Sequence, residues 1–319
     1  MEPSSRLGPA GTGRSTGRPG AVIVPLDGSA SARDALPLAT YLSTAFQAPL
    51  HRVSVTVTAG PAPAEGREAH ADALTLLRGG DRQAQAQPAR AAWTSTGGPP
   101  PPPPAPEAVG VVSGDGDVEV VLQGDSVAGA LLDYATRHPD ALVCMATRAR
   151  GGLHRRLMGN VVEEMLGQAR CPVIAVGPRV DLAETAQRPE TILLAAAAEP
   201  PRATVPLLAS WARMLGAQVV VAQVSSAGRT GSGGDPWGDR QAADRMVSWF
   251  ARHRAPAFAQ RLRAGPVPTA LLELAEQIGG PMLVAAPVSP YSGVPVSDLT
   301  HELLQHSRWP VIASVGSNT

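Results

Sequence analysis

The sequence predicts an α/β protein built from two tandem, doubly wound domains, each with a five-stranded parallel sheet. Short apolar runs alternate with amphipathic helical stretches along residues 21–178, which is the pattern of parallel strands joined by crossover helices. The apolar runs are unbroken and end in turn residues, as expected of strands buried on both faces. A second series of the same kind begins near residue 190, so the pattern repeats once.

The composition narrows the possible functions. The chain has 319 residues, of which 44% are hydrophobic and 17% charged, a balance typical of globular domains. Basic and acidic residues are equal in number, at 27 each, which gives no basis for nucleic-acid or membrane-surface binding. The two cysteines are too few for a disulfide framework and lack the spacing of a metal site.

The N-terminal segment predicts a tail rather than a folded element. Residues 1–20 are rich in Gly, Ser, Pro and Arg and show no apolar period, so we expect disorder there. The segment has no apolar core of signal-peptide length, and no apolar run in the sequence reaches the length of a membrane span. We therefore expect a cytoplasmic protein.

The first domain is predicted at residues 21–178. Apolar residues recur at helical spacing after Ser29, after Ser126 and over 161–169. Ser29 or Ser31 can cap the first of these helices, and Ser126 the second. A Pro-rich insert at about 58–116 separates the second and third strands. Its run of six prolines indicates an extended spacer or a ligand for a proline-recognition domain, and Glu68–Arg78 has a helical pattern. The five strands are expected at 21–26, 49–57, 118–122, 141–145 and 173–176.

A linker at 179–189 leads to a second domain at 190–319. Residues 191–194 resemble residues 22–25 at an offset of 169, and at this offset Pro206 falls on Pro37. The Trp309-Pro310-Val311 segment resembles Cys171-Pro172-Val173 at an offset of 138. The smaller second offset indicates that the second copy lacks the insert.

A candidate binding site is predicted in the first domain, where ligands of doubly wound sheets bind at the carboxyl ends of the strands. Asp27 follows the first strand, and a loop from Met145 to Asn160 follows the fourth and leads into a helix. Small residues before a helix N-terminus offer backbone N–H groups and the positive end of the helix dipole, which can hold phosphate. The four arginines and one histidine of this loop favour an anion site.

These motifs resemble the universal stress protein family. Asp27-Gly28-Ser29 is similar to the family's first-strand ending, Arg150-Gly151-Gly152-Leu153 with Gly159 to its glycine-rich loop, and Cys171-Pro172-Val173 to its last strand. The resemblance covers nearly all of the chain outside the tail and insert. It implies a flavodoxin-like, adenine-nucleotide α-hydrolase-like fold in which the last strands of two domains pack as in a dimer. We expect an intrachain pseudo-dimer and leave a homodimer open.

The resemblance also implies an ATP site, in the first domain only. ATP-binding members place the Asp near the ribose and phosphates, contact adenine from the second strand and hold phosphates with the loop. Two loop glycines are replaced by alanines and a Ser/Thr by Asn160, so the site is a degraded one, although Asn160 is still expected to cap the helix. The positions carried over are Asp27, Val53, Met145, Ala146, Ala149, Gly159, Asn160 and Val161.

The second domain has lost this motif. Ala196 stands opposite Asp27 at the offset of 169, and a one-residue shift gives Ala197. The loop at 286–298 contains three prolines, which have no N–H to donate. Asp298 takes the place of Asn160, where a carboxylate would repel phosphate. We expect this domain to bind no nucleotide and to serve as a structural partner.

Three function classes remain open. The first is a regulatory module of the universal stress type that binds ATP, the second a protein-interaction module without nucleotide, and the third a slow nucleotide hydrolase. No catalytic residue or metal site is predicted, because P-loop, nucleophile-elbow and metal-ligand motifs are absent from the sequence. Asp27 can act as a nucleotide ligand or as a turn residue. Cys144 is expected to be inert core. Core or interface positions are expected for four tryptophans, Trp211, Trp237, Trp249 and Trp309.

Overall fold

A computed structural model describes most of the two predicted domains. The described residues are 17–57, 109–112, 117–138, 140–147, 159–195, 204–224, 241–262, 266–288 and 298–315. The predicted helix Glu68–Arg78, the proline run and Ala149 lie outside these ranges, and so do Ala196 and Ala197.

The first unit contains six strands in the described residues, one more than predicted. The extra strand lies at the end of the predicted insert. The strands are β1 (Val22–Pro25), β2 (Leu50–Val57), β3 (Val109–Val112), β4 (Val118–Gly124), β5 (Leu142–Ala146) and β6 (Val173–Val176). The helices are a 3-10 helix (Ser31–Ala35), α1 (Leu36–Phe46), α2 (Val127–Arg137) and α3 (Asn160–Gln168).

The second unit follows a short helix that interrupts the predicted linker, α4 (Leu182–Thr185). Its strands are β7 (Thr191–Ala195), β8 (Gln218–Val224), β9 (Ala257–Leu262), β10 (Met282–Val288) and β11 (Val311–Val315). Its helices are α5 (Thr204–Leu215), α6 (Ala242–Arg252), α7 (Val267–Ile278) and α8 (Asp298–His306). Strand β9 has no counterpart among the elements predicted from sequence, because its exposed Gln260 and Phe258 give it no buried apolar run.

The eleven strands of the described residues form one sheet, in the order β3-β4-β2-β1-β5-β6-β11-β10-β7-β8-β9. Strands β4, β2, β1, β5 and β6 are parallel, and β9, β8, β7, β10 and β11 repeat that order in the second unit. The two last strands, β6 and β11, pair antiparallel and join the units. Strand β3 adds an antiparallel edge to the first unit.

Each face of the sheet carries one continuous apolar core that spans both units. Alternate residues of a strand enter different cores: Val22 and Val24 lie with α1 and α5, and Ile23 lies with α2 and α3. On the first of these faces α1 and α5 meet across the units, where the rings of Phe46 and Trp211 lie 5.5 Å apart. The Trp211 Nε1 donates a hydrogen bond of 2.9 Å to the Gly17 carbonyl, so the segment before β1 also reaches the second unit.

Local sequence explains where the helices begin and end. Ser126 has extended backbone angles and its Oγ accepts a 3.0 Å hydrogen bond from the Gly129 N–H, which caps α2 as predicted. Helix α1 ends at Gln47, whose φ of 51° is left-handed and lets the Ala48 N–H bond to the Ser43 carbonyl. At the corresponding end of α5, Gly216 takes the same conformation, with a φ of 66°.

Candidate functional site

The strand order places the switch point of the first unit between β1 and β5. From β1 the chain moves outward to β2 and β4, and then returns to β5 on the other side of β1. Strands β1 and β5 are parallel and paired at Val22–Leu142 and Ile23–Val143, so their carboxyl ends lie at the same edge. Asp27 and Thr147 each follow one of these strands. The helix α3, which connects β5 to β6, must begin at this edge too.

Asp27 forms a tight turn after β1. Its Oδ1 accepts a 2.8 Å hydrogen bond from the Ser29 N–H, and Gly28 between them has a φ of 80° that favours glycine. The buried Ser29 hydroxyl accepts a 3.0 Å hydrogen bond from the Ala32 N–H. The N-cap residue of the 3-10 helix is nevertheless Ala30, without a side-chain cap, so the serine cap expected here is wrong. The structure therefore gives Asp27 the turn role, while its side chain stays exposed at the switch point.

The predicted contact residues of β2 and β5 point into the core. Val53 is fully buried, and its carbonyl accepts a 2.7 Å hydrogen bond from the Leu26 N–H. Met145 is also buried, with only 4% of its surface exposed. Neither side chain faces the switch point. A ligand there would meet these two residues through the backbone alone.

Ala146 occupies its predicted place without backbone strain. It ends β5, pairs with Val176 and is half-buried. The described non-glycine residues with positive φ are Gln47, Asp140 and Arg254, so Ala146 does not adopt the glycine-only conformation whose strain would count against an alanine. The next residue, Thr147, is buried, and its N–H donates a 3.0 Å hydrogen bond to the Val176 carbonyl.

The N-terminus of α3 differs from the prediction. Gly159, not Asn160, is the N-cap residue, with φ of −72° and ψ of 151°, and Asn160 is the first residue of the helix. The expected Asn160 cap is therefore wrong, because the extended backbone that capping requires falls one residue earlier. No side chain caps α3 among the described residues. Its first-turn N–H groups, together with exposed Asn160 and half-buried Val161, face the carboxyl edge.

Corresponding elements of the two units are related by fixed offsets in residue number. Val22 and Ile192 lie in the same core and pair with Leu50 and Val219 respectively, so β1 and β7 correspond at an offset of 170. The expected offset of 169 is wrong for this strand because it would move each residue to the other face. The offset of 169 does relate the residues that follow the two helices, Gln47 after α1 and Gly216 after α5. One residue is therefore lost between β7 and α5.

A buried polar cluster lies away from the switch point, near the amino end of β2. The His51 Nδ1 and the Tyr134 hydroxyl are 2.8 Å apart, and the His51 and His138 rings are in edge contact at 4.8 Å. The pKa of His51 is lowered to about 4, mainly because the side chain is buried and to a smaller extent because His138 lies nearby. Sequence reasoning missed this cluster, since His51 belongs to β2 whereas Tyr134 and His138 lie in the last turn and at the C-cap of α2. A histidine inside an apolar strand was the available signal.

Both cysteines are buried. Cys144 is fully enclosed, and burial raises the pKa of its thiol well above the usual range. Burial raises the pKa of Cys171 to about 11. The prediction of an inert core thiol at Cys144 is confirmed by this environment. Trp211 and Trp309 are buried too, as predicted, and Trp249 is half-buried against the core. Trp237 lies outside the described residues.

The described residues contain neither a candidate metal site nor a candidate membrane-spanning helix. No group of three or more His, Cys, Asp or Glu residues in the described ranges is arranged to hold a metal ion. In the same part of the chain, no helix is long and apolar enough to cross a membrane.

The sheet order and the switch-point edge define the first unit as a doubly wound α/β domain of the flavodoxin-like type. The profile of the universal stress protein family matches residues 20–177. On this match the chain belongs to the universal stress protein family. No curated protein matches the sequence.

Solved structures share the fold over both units. A universal stress protein from Archaeoglobus fulgidus DSM 4304 is 12% identical, with a TM-score of 0.60, and the alignment covers 94% of this chain and 98% of that one. A protein of unknown function from Pseudomonas aeruginosa PAO1 is also 12% identical, with a TM-score of 0.54 and 95% of each chain covered. At such identities the similarity establishes the fold alone.

Proposed function

We propose that this protein is a regulatory module of the stress response whose first unit binds ATP at the β1–β5 switch point. The second unit binds no nucleotide and serves as the structural partner of the first. Membership of the universal stress protein family supports the regulatory class. The tandem origin of the two units, predicted from the internal repeat, belongs to the same proposal and is supported by their common strand order.

One observation carries the nucleotide proposal: an exposed carboxylate and an uncapped helix N-terminus belong to the same edge of the sheet. Asp27 follows β1, and α3 begins at that edge, where no side chain of the described residues caps its first turn. Free N–H groups and the helix dipole attract phosphate. A carboxylate accepts hydrogen bonds from ribose hydroxyls. Gly159 leaves the approach to the helix without a side chain.

A second candidate function is a protein-interaction module without nucleotide. Polar groups at two positions that the resemblance assigns to the ligand are already used within the fold. The Asp27 Oδ1 accepts from the Ser29 N–H, and the Val53 carbonyl accepts from the Leu26 N–H. This use favours a structural role for both residues, and it makes the two functions separable by experiment.

Isothermal titration of the full chain with ATP and Mg²⁺ tests the proposal. We expect one site per chain and at least tenfold weaker binding in Asp27→Ala, the order of effect expected when a charged hydrogen bond is lost. Asp181→Ala is the matched control, because Asp181 makes the same kind of turn, with its Oδ1 accepting from the Ala183 N–H at 2.9 Å. Absence of binding heat would favour the protein-interaction module. A phosphate-release assay on the same variants tests the slow hydrolase.

A further inference from the structure

The four residues before β1, residues 17–20, contact both units. The Gly17 carbonyl accepts a 2.9 Å hydrogen bond from the Trp211 Nε1 of α5, in the second unit. Three residues further on, the Gly20 N–H donates a 3.0 Å hydrogen bond to the Asp140 carbonyl, between α2 and β5 of the first unit. This short segment therefore links α5 to the amino edge of the first unit's sheet.

Gly17 lies in a notch on α5 that accommodates glycine alone. Its φ is 70°, in the left-handed region that side chains disfavour. A Cβ at this position would lie 2.6 Å from the Ser210 Cβ and 2.9 Å from the Ser210 Oγ. Gly17 is half-buried, whereas Ser210 has 5% of its surface exposed and Trp211 none. The segment thus lies between these two α5 residues and the solvent.

The rest of the segment lies at the surface. Arg18 and Gly20 are exposed, and the Arg18 guanidinium donates to the carbonyl of exposed Gln47, at the end of α1. Pro19 has no N–H to donate. Surface hydrogen bonds next to a chain terminus are typical of regions that open locally, at a lower free energy than global unfolding. The core under the segment is different, because α1 and α5 meet there through the buried rings of Phe46 and Trp211.

We propose that residues 17–20 form a strap that fastens α5 to the first unit and opens locally while both units stay folded. In the closed strap, the Gly17 carbonyl is the acceptor of the Trp211 indole N–H. In the open strap, that N–H and the Ser210 side chain meet solvent at the seam between α1 and α5. The inference is independent of nucleotide binding, because the strap lies at the amino end of β1 and Asp27 follows its carboxyl end.

Thiol labelling of Ser210→Cys in the full chain measures the opening. Cysteine is close to serine in size, and the two native cysteines are buried. We expect the introduced thiol to react with a maleimide faster than the fully enclosed Cys144, by a factor on the order of ten or more. Equal rates would overturn the proposal, because the notch would then open only when the first unit unfolds.

Ala212→Cys is the matched control in the same helix. Ala212 is fully buried in the core that both units share, so a thiol there is reached only when α5 leaves the sheet. We expect it to react at least about tenfold more slowly than the thiol of Ser210→Cys. Circular dichroism checks that both variants are folded. Equal rates for the two introduced thiols would show that α5 moves rather than the strap, and would also overturn the proposal.

A substitution that displaces the strap tests its cause. Gly17→Ala, made together with Ser210→Cys, should raise the labelling rate at least about tenfold and leave that of Cys144 unchanged. Gly279→Ala is the control for backbone strain, since Gly279 has a φ of 65° and a Cβ there meets no described atom within 4 Å. It should leave the labelling rate unchanged. A rate unaffected by Gly17→Ala would contradict the strap.

Arg18→Ala provides a milder test that keeps Gly17 in place. Loss of the guanidinium's hydrogen bond to the Gln47 carbonyl should raise the labelling rate of Ser210→Cys about three- to tenfold. Arg179→Ala, which removes another exposed arginine, should have no effect. If Arg18→Ala labelled no faster than Arg179→Ala, the segment would not be held as a strap.

Discussion

The two units share a strand order but differ at three corresponding places. After the first strand, one has Asp27 and the other an alanine. At the outer edge, β3 pairs with β4, whereas β9 is the last strand of its unit among the described residues. Near the amino end of the second strand, His51 takes the place of Val220. The fold depends on the core positions that the two units share. The three differences therefore mark the places where one unit can have a role that the other lacks.

A contact between α1 and α5, which lie in different units, gives the largest expected effect. Trp211 is fully buried, stacks on Phe46 of the first unit and donates to the Gly17 carbonyl, while its counterpart in α1 is the smaller Leu42. Trp211→Ala should lower the free energy of unfolding by about 3–5 kcal/mol, because it leaves a large cavity. Urea unfolding measures the loss. The half-buried Trp249→Ala is the control, and a loss below about 1 kcal/mol for Trp211→Ala would contradict a shared core.

The histidine cluster should make the first unit sensitive to acid. Because the pKa of folded His51 is lowered from 6.5 to about 4, the unfolded chain binds more protons below pH 6.5. Stability should then fall as the pH drops from 6.5 towards 4, by roughly 3 kcal/mol at most for this residue.

Unfolding followed between pH 7 and 4 checks this expectation. His51→Val, which copies the residue of the second unit, should remove most of the pH dependence and leave the smaller share of His138, whose pKa is also lowered. If the unfolding free energy of His51→Val depended on pH as strongly as that of the unchanged chain, the cluster would not be the origin of the acid sensitivity.

Helix capping distinguishes α2 from α7. Ser126 caps α2 through its hydroxyl, whereas α7 begins at Pro266 with no side-chain cap. Ser126→Ala should therefore cost about 1 kcal/mol in the free energy of unfolding. Ser248→Ala, which removes an exposed serine bonded within α6, should cost almost nothing. Equal losses in the two variants would speak against the cap.

The smallest expected effect is the change in ATP affinity when Asn160, the first residue of α3, is substituted. Asn160→Ser restores the hydroxyl that the family resemblance expects beside the phosphates. The affinity for ATP should rise about two- to fivefold, which is the scale of one weak hydrogen bond. Asp298→Ser at the corresponding position of α8 should leave the number of ATP sites per chain unchanged. Titration calorimetry measures both, and weaker binding in Asn160→Ser would remove the phosphate contact from the proposal.

Sequence reasoning reached most of the fold because buried parallel strands are unbroken apolar runs. Strand β6 was predicted with its observed bounds, and β5 to within one residue. Strand β3 was missed because it lies within the Pro-rich insert and is held by pairing with β4, a contact that periodicity does not report. The offset of β7 was wrong by one residue, since a strand's face becomes visible only when its neighbours are known.

The candidate site was predictable in its place but not in its details. Topology alone puts Asp27 and the start of α3 at the same edge. Which residue caps α3 depends on whether Gly159 or Asn160 adopts extended angles, and the residue types alone allow either. The inward orientation of Val53 and Met145 follows from the alternation of faces along each strand.

Photoaffinity labelling with 8-azido-ATP, followed by mass spectrometry of the peptides, tests the difference between the units most directly. We predict that every labelled peptide protected by excess ATP comes from residues 20–177, and that Asp27→Ala loses the label. Protected labelling within residues 190–319, or labelling of the first unit that survives in Asp27→Ala, would contradict the assignment of one nucleotide site to the first unit.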